Sequence, residues 1–267
     1  MRRLKYMGVA AALVMATLGL SGTPAQAAAP SGEYVALGDS YASGVGAGSY
    51  SGGTCLRSAK SYPQRLVKKE PGLKLKDATC SGATIADVRD KQLASLSSNT
   101  KLVTLTVGGN DAQFRTLVEY CLTQSDFMCE SGTSMVNHFA RNQMVDQLAA
   151  LYGDIKKRAP QARIIVLGYP WLVEKTGSCG VIDLSADRRT WMNGTVDAVA
   201  EGTTKAAGKA GVEYLDMRFM FGFGNHGACG SSPWINGVNL ANPTETFHPN
   251  ATGYDKAYAY AWDYLFE

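Results

Sequence analysis

Residues 34–41 read YVALGDSY, an apolar run followed at once by Gly38, Asp39 and Ser40. A short apolar run without alternation is typical of a strand buried on both faces of a parallel sheet. In such sheets, ligands bind beyond the carboxyl ends of the strands. The stretch therefore predicts a buried strand, with Ser40 at the sheet edge where a reactive side chain meets its ligand.

Strand and helix patterns alternate through the rest of the chain. Strands are predicted at 34–37, 73–77, 102–107, 163–167 and 212–215. Helices are predicted from apolar spacing at 62–69, 85–94, 136–158, 186–210 and 251–266. Such alternation predicts βαβ units with right-handed crossovers, and hence an α/β fold in the form of a three-layer α/β/α sandwich.

The N-terminal segment has the pattern of a secretory signal peptide. It opens with MRRLK, continues with the apolar run VAAALVMATLGL, and reaches Ala25-Gln26-Ala27, a small-residue cleavage pattern. The apolar run is shorter than the ~20 residues that a membrane span needs. We therefore predict a signal peptide over residues 1–27 and a single secreted, extracellular domain over residues 28–267.

The charge balance excludes one class of partner. The chain has 26 basic and 23 acidic residues, a formal net charge of +3. Arg2, Arg3 and Lys5 lie in the predicted signal peptide, which has no acidic residue, so the remaining chain is neutral. A neutral domain lacks the electrostatic footprint of a nucleic-acid-binding protein. We expect no nucleic-acid partner.

No metal or organic cofactor is implied. The chain has no CxxC pair and no histidine at ligand spacing from a cysteine. The glycine-rich stretch GVGAG at 44–48 does not match the dinucleotide-binding pattern GxGxxG. We predict a protein that works without either group.

The cysteines predict disulfides. All six lie after the predicted signal peptide, and an even number in an exported chain favours a disulfide framework. They are Cys55, Cys80, Cys121, Cys129, Cys179 and Cys229. Six cysteines allow about 15 pairings, so their spacing leaves the connectivity open.

Candidate catalytic residues follow three of the predicted strands and precede the last helix. Ser40 lies in GDSY, Gly82 in CSGA, Asn110 in GGND and His248 in FHP. A serine becomes nucleophilic when a base such as histidine takes its proton. The main-chain N–H groups of Ser40 and Gly82 and the amide of Asn110 are suitable donors to an oxyanion. The set predicts cleavage of an ester.

Each of these residues also has a structural explanation. Ser40 and Asn110 are residues that cap helices or turns, Gly82 is suited to a tight turn, and His248 precedes a proline at a helix start. Taken singly, these explanations are sufficient for most of the positions. Because all four residues meet one edge of the predicted sheet, the catalytic interpretation is favoured.

The blocks GDSY, CSGA, GGND and FHP, in this order and spacing, resemble the SGNH (GDSL-type) hydrolase family, and closely its secreted actinobacterial lipase, esterase and phospholipase A1 members. The likeness covers essentially the whole predicted mature chain. It implies a five-stranded parallel sheet and the pairs Cys55–Cys80, Cys121–Cys129 and Cys179–Cys229. It also implies that Ser40 is the nucleophile, that His248 is the base, and that Gly82, Asn110 and the Ser40 amide are oxyanion donors.

The chain departs from the family pattern at two positions. Tyr41 replaces the leucine of the usual tag, which leaves the chemistry unchanged. Glu245 stands three residues before His248, where the family usually has an aspartate that orients the imidazole. Two alternatives follow: Glu245 reaches the imidazole, or the main-chain carbonyl of Thr246 orients it in a serine–histidine dyad. We favour the dyad.

The leading functional hypothesis is a lipase or esterase, with phospholipase A1 activity included. We expect a monomer whose substrate is a lipid or other acyl ester and which makes transient contact with a lipid surface. Aromatic residues at 169–171 and 219–223 are candidates for an acyl pocket or for core packing. The alternatives are a carbohydrate acetyl esterase and a secreted binding protein with a vestigial site.

Overall fold

A computed structural model describes residues 30–179, 182, 184–222 and 225–266. The predicted signal peptide lies outside the described residues. Five strands form one parallel sheet: β1 (Gly32–Gly38), β4 (Leu73–Asp77), β5 (Thr100–Thr106), β6 (Arg163–Leu167) and β7 (Glu213–Leu215). Their order in space is β4-β1-β5-β6-β7. Two two-residue strands, β2 (Tyr50–Ser51) and β3 (Arg57–Ser58), pair antiparallel as a separate ribbon.

Strand β1 lies inside the sheet because its apolar run pairs on both sides. Ala36 pairs with Asp77 on β4 and with Thr104 on β5. The side chains from Tyr34 to Leu37 are fully buried, as their continuous apolar pattern predicts. The carboxyl end of β1 therefore lies between the carboxyl ends of β4 and β5.

Nine α-helices lie in the described part of the chain. They are α1 (Ser40–Ser43), α2 (Tyr62–Lys69), α3 (Ile85–Asp87), α4 (Phe114–Thr123), α5 (Asp126–Arg141), α6 (Gln143–Arg158), α7 (Ala186–Ala210), α8 (Met217–Gly222) and α9 (Ala251–Phe266). None of them is both long and apolar enough to cross a membrane.

Two apolar clusters cover the two faces of the sheet. On one face Tyr34 and Ile165 pack with Tyr258 and Trp262 of α9. On the other face the sheet residues Val35, Leu37, Val103 and Val166 pack with residues of α6 and α7 such as Leu148, Tyr152 and Val199. The three-layer α/β/α sandwich with a five-stranded parallel sheet is thereby confirmed.

The single helix predicted at 136–158 is wrong, because two helices meet at Asn142. This residue has φ −122° and ψ −88°, which is not helical, and its side-chain amide donates to the His138 carbonyl at 2.7 Å. An asparagine side chain that satisfies a backbone carbonyl competes with helix continuation. Helix α5 begins at Asp126, where the Ser125 side chain caps the Met128 N–H.

The helix predicted at 85–94 is irregular. A short α-helical turn is followed by a π-helical turn (Val88–Gln92) and a 3₁₀ turn (Leu93–Ser95). Within it the buried Gln92 amide accepts from Gly38 N at 2.7 Å and donates to Gly38 O at 2.9 Å. The irregular turn thus carries a side chain that fixes the end of β1, directly before Asp39 and Ser40.

Three disulfides connect Cys55 with Cys80, Cys121 with Cys129 and Cys179 with Cys229. These are the pairs that the family resemblance implies. The second joins α4 to α5, and the first anchors the segment that leads into Gly82.

Candidate active site

The four residues predicted from the motifs line one cleft of about 470 Å³ at the carboxyl edge of the sheet. Ser40 follows β1, Gly82 follows β4 and Asn110 follows β5, while His248 lies just before α9. Parallel strands bring their carboxyl ends to the same edge, which is why residues far apart in sequence meet there.

A sharp turn presents Ser40 at the end of β1. Gly38 has φ +121°, and a Cβ there would lie 2.2 Å from the Thr106 carbonyl oxygen of β5, so this position requires glycine. The next residue, Asp39, caps α1 by accepting from the Tyr41 N–H at 2.9 Å. Ser40 is the first residue of that short helix.

His248 contacts Ser40 directly. Its Nε2 lies 2.7 Å from Ser40 Oγ, and its Nδ1 lies 3.2 Å from the carbonyl oxygen of Thr246. A carbonyl only accepts, so Nδ1 carries the proton and Nε2 is free to accept from the Ser40 hydroxyl. Burial lowers the pKa of His248 to about 4, because the charged imidazolium loses its hydration. The imidazole is therefore neutral at neutral pH, the state that a general base needs.

Glu245 has other partners. Its Oε1 accepts from the Tyr50 hydroxyl at 2.5 Å and its Oε2 from the Asn239 amide at 3.4 Å. The Tyr50 hydroxyl in turn accepts from the main-chain N–H of Gly46 at 2.8 Å. Glu245 thus ties the loop of His248 to the glycine-rich segment, while the carbonyl of Thr246 occupies the position next to the imidazole.

Two of the three predicted oxyanion donors, Gly82 and Asn110, lie on coupled turns. Gly82 has φ +79°, with no atom within 4 Å of a Cβ built on it, so its backbone is open to a ligand. The Asn110 side-chain Nδ2 donates to the Ala83 carbonyl at 2.9 Å, which fixes the orientation of the amide. The second N–H of Nδ2 is then the one that can donate to a ligand. The Asp111 carboxylate accepts from the Ile85 N–H at about 3.0 Å, which ties the same two turns again.

A buried network beside Ser40 was not predicted from the sequence. The Tyr169 hydroxyl donates to Asp39 Oδ2 at 2.5 Å and accepts from the Gly109 N–H at 3.0 Å. Burial raises the pKa of Asp39 to about 7, against the opposing effect of its hydrogen bonds. The GDS and GGND motifs mark both loops, but no pattern in the sequence indicates that Tyr169 joins them.

The cleft has a long apolar wall, which α4 supplies. Phe114, Val118 and Leu122 of α4 line it, and Leu172 and Val199 face them. Helix α4 was not predicted, although apolar residues at 114, 117, 118, 121 and 122 have helical spacing. Of the aromatic residues considered for an acyl pocket, Tyr169 lines the cleft, whereas Trp171 and residues 219–222 do not; Phe223 lies outside the described residues.

An α/β/α sandwich with a serine–histidine contact at the carboxyl edge of its sheet is the arrangement of a serine hydrolase. Residues 36–256 match the family described as "GDSL-like Lipase/Acylhydrolase family", and the chain belongs to this family of lipases and acylhydrolases.

Named relatives and solved structures agree with this assignment. The chain is 38% identical over 265 residues to "Lipase" of Streptomyces rimosus, with 97% of each covered. It superposes on the extracellular lipase from Streptomyces rimosus with a TM-score of 0.83 at 37% identity, covering 88% of this chain and 99% of that one. It superposes on phospholipase A1 from Streptomyces albidoflavus NA297 with a TM-score of 0.82 at 34% identity and the same coverage.

Proposed function

We propose that this lipase cleaves acyl esters of lipids through an acyl-enzyme on Ser40, with His248 as general base and no orienting carboxylate. The observation that carries the proposal is the 2.7 Å contact between Ser40 Oγ and His248 Nε2 beside an apolar cleft. The carbonyl of Thr246 takes the orienting role that an aspartate has in a triad.

In the first half of the reaction, Ser40 Oγ attacks the ester carbonyl carbon while its proton passes to His248 Nε2. The negative charge that develops on the carbonyl oxygen is stabilised by the N–H groups of Ser40 and Gly82 and by the Asn110 amide. The C–O bond to the alcohol breaks, and His248 returns the proton to the departing oxygen. Water then repeats the sequence on the acyl-enzyme and releases the fatty acid.

The apolar wall of α4 is suited to a hydrocarbon chain. Burying apolar surface lowers the free energy of the bound ester by about 25 cal/mol per Å². A longer acyl group, with more methylenes in contact with Phe114, Val118 and Leu122, is therefore favoured. An acetyl group would leave this wall exposed to water. We therefore propose lipid esters, phospholipids included, as substrates in preference to acetylated carbohydrates.

The N-terminal sequence and the disulfides support action outside the cell. In this proposal residues 1–27 direct export and are removed, and residues 28–267 act outside the cell on a substrate at a lipid surface. Three disulfides suit an oxidising compartment, and the Streptomyces rimosus relative is an extracellular lipase.

A panel of esters tests the proposal. The purified mature chain should hydrolyse p-nitrophenyl esters of long acyl chains and either a triglyceride or a phospholipid, and it should have lower kcat/KM on acetylated sugars. Ser40→Ala should reduce kcat by about 10⁴-fold or more, as loss of a nucleophile does. Ser43→Ala, the same change at a buried serine of the same helix, is the matched control and should keep most of the activity. Equal activity in Ser40→Ala and the wild type would overturn the proposal.

A further inference from the structure

The hydroxyl of Tyr169 lies between two of the three loops that carry the proposed oxyanion donors, the loops of Ser40 and Asn110. It donates to Asp39 Oδ2 at 2.5 Å and accepts from the Gly109 N–H at 3.0 Å. Asp39 directly precedes Ser40, and Gly109 directly precedes Asn110. A single side chain, which follows a third strand, thus joins the two turns.

Without Tyr169, the Asp39 carboxylate keeps only main-chain donors, those of Tyr41 and Ala42. Asp39 is only 2% exposed, and its other oxygen caps α1 through the Tyr41 N–H. A buried carboxylate that loses a hydrogen-bond donor keeps the cost of its lost hydration. The Tyr169 hydrogen bond also acts to lower the pKa of Asp39, against burial, which raises it. The hydroxyl therefore holds the carboxylate in the position from which it caps the Ser40 turn.

The Gly109 end is packed as well as hydrogen-bonded. A Cβ at Gly109 would lie 3.2 Å from both the Cζ and the hydroxyl oxygen of Tyr169, so the ring rests directly on this peptide. On another side the ring meets Tyr41 edge-on, with centroids 4.9 Å apart. The ring is held in place by packing, and its hydroxyl contacts both turns.

We propose that Tyr169 is a positioning residue for ester cleavage, whose hydroxyl fixes the separation between the main-chain N–H of Ser40 and the side-chain amide of Asn110. This inference rests on the proposed function, in which both groups donate to the same oxyanion. Donors to an oxyanion act at 2.7–3.1 Å from the position that the oxygen reaches in the transition state. Two donors on loops from different strands meet that condition together only when the spacing of the loops is fixed.

The pairing of the strands does not depend on this hydroxyl. The sheet already joins the same region through Asp39 N, which donates to Thr106 O at 2.9 Å, and through the clamp of Gln92 on Gly38. Loss of the hydroxyl therefore loosens the loops beyond the strand ends and leaves the strands paired. The consequence should be seen in the transition state and not in ground-state binding.

The test compares Tyr169→Phe with Tyr34→Phe. Tyr34 is fully buried in the core, and its hydroxyl is hydrogen-bonded to Thr104 at 2.7 Å, so the control also removes one buried hydrogen bond. We expect Tyr169→Phe to lower kcat by about 10- to 100-fold, since a misplacement of 1 Å in an active site costs about 10²-fold. Its KM should stay within about twofold, as expected for an interaction made only in the transition state. Tyr34→Phe should keep the wild-type kcat. Both variants should lower the melting temperature by a similar amount, because each loses one buried hydrogen bond.

Two further measurements separate positioning from a general loss of stability. A trifluoromethyl ketone, which forms a tetrahedral adduct with a serine, should bind Tyr169→Phe more weakly by the same factor as kcat/KM falls. In a double-mutant cycle, the kcat of the Asp39→Asn, Tyr169→Phe double variant should be no lower than that of the less active single variant, because the bridge to Gly109 needs both the hydroxyl and the carboxylate.

Three outcomes would overturn the inference: a kcat of Tyr169→Phe equal to that of Tyr34→Phe, additive effects in the cycle, or a loss confined to KM. Failure of the proposed function is a separate result. In that case, folded wild-type protein would be as inactive as Ser40→Ala on every ester, and the comparison of tyrosines would not arise.

Discussion

His248 Nδ1 lies 3.2 Å from the carbonyl oxygen of Thr246, two residues earlier on the same loop. The group that fixes the imidazole tautomer is therefore part of the main chain, and it is present whatever side chain stands at position 246. The carboxylate nearest in sequence, Glu245, has the Tyr50 hydroxyl as its partner instead. This arrangement leads to a first prediction about Glu245.

Glu245→Ala should reduce kcat by less than about 10-fold, whereas loss of an orienting aspartate from a triad costs about 10⁴-fold. The remaining loss reflects the broken hydrogen bond to Tyr50, which anchors the loop. Steady-state kinetics on a soluble ester measure it. Glu245→Gln, which keeps an acceptor for Tyr50, is the matched control, and a loss near 10⁴-fold in the alanine variant would show that Glu245 orients His248.

The pH profile should report the lowered pKa of His248. A base works in its neutral form, and burial lowers the pKa of this imidazole from 6.5 to about 4. With this pKa, His248 in the free enzyme becomes protonated only below about pH 5. Loss of the neutral base should therefore lower kcat/KM only below that pH. A profile of kcat/KM against pH tests this. A His248 inflection near pH 6.5, assigned by NMR titration of the same residue, would contradict it.

The apolar wall of α4 should control preference for acyl length. Val118→Phe adds bulk inside the cleft and should lower kcat/KM on long-chain esters by about 10-fold or more, with short-chain esters less affected, because pockets discriminate by 1–3 kcal/mol per methylene-sized change. Thr116→Phe, an exposed position of the same helix that does not line the cleft, is the control. Equal losses on all chain lengths would place the acyl chain elsewhere.

The disulfides should contribute unequally to stability. Cys179 and Cys229 are 50 residues apart in sequence, and Cys121 and Cys129 are 8 apart. Loop-closure entropy predicts contributions of about 4 and about 2.5 kcal/mol to the free energy of unfolding. Urea denaturation of the two paired Cys→Ser variants measures the difference. A greater loss from the shorter loop would show that strain or packing, and not chain entropy, decides the order.

Much of the fold could be predicted from the sequence because it depends on local patterns. The runs 73–77 and 163–167 coincide with β4 and β6, and the pattern at 186–210 coincides with α7. The boundary at Asn142 and the irregular helix at 85–95 were not predicted, since each depends on where one amide side chain finds its partner. Helix α4 was not predicted either, although its sequence has helical spacing and it forms the wall of the cleft.

The sequence by itself determined the strand–helix alternation and the four short blocks that bring Ser40, Gly82, Asn110 and His248 to one sheet edge. It could do so because parallel strands place their carboxyl ends together whatever the details of packing. Only the tertiary structure decided the partners of Glu245 and Tyr169. Glu245 meets Tyr50 across 195 positions and Tyr169 meets Asp39 across 130, and no local pattern encodes a contact that depends on where distant loops pack.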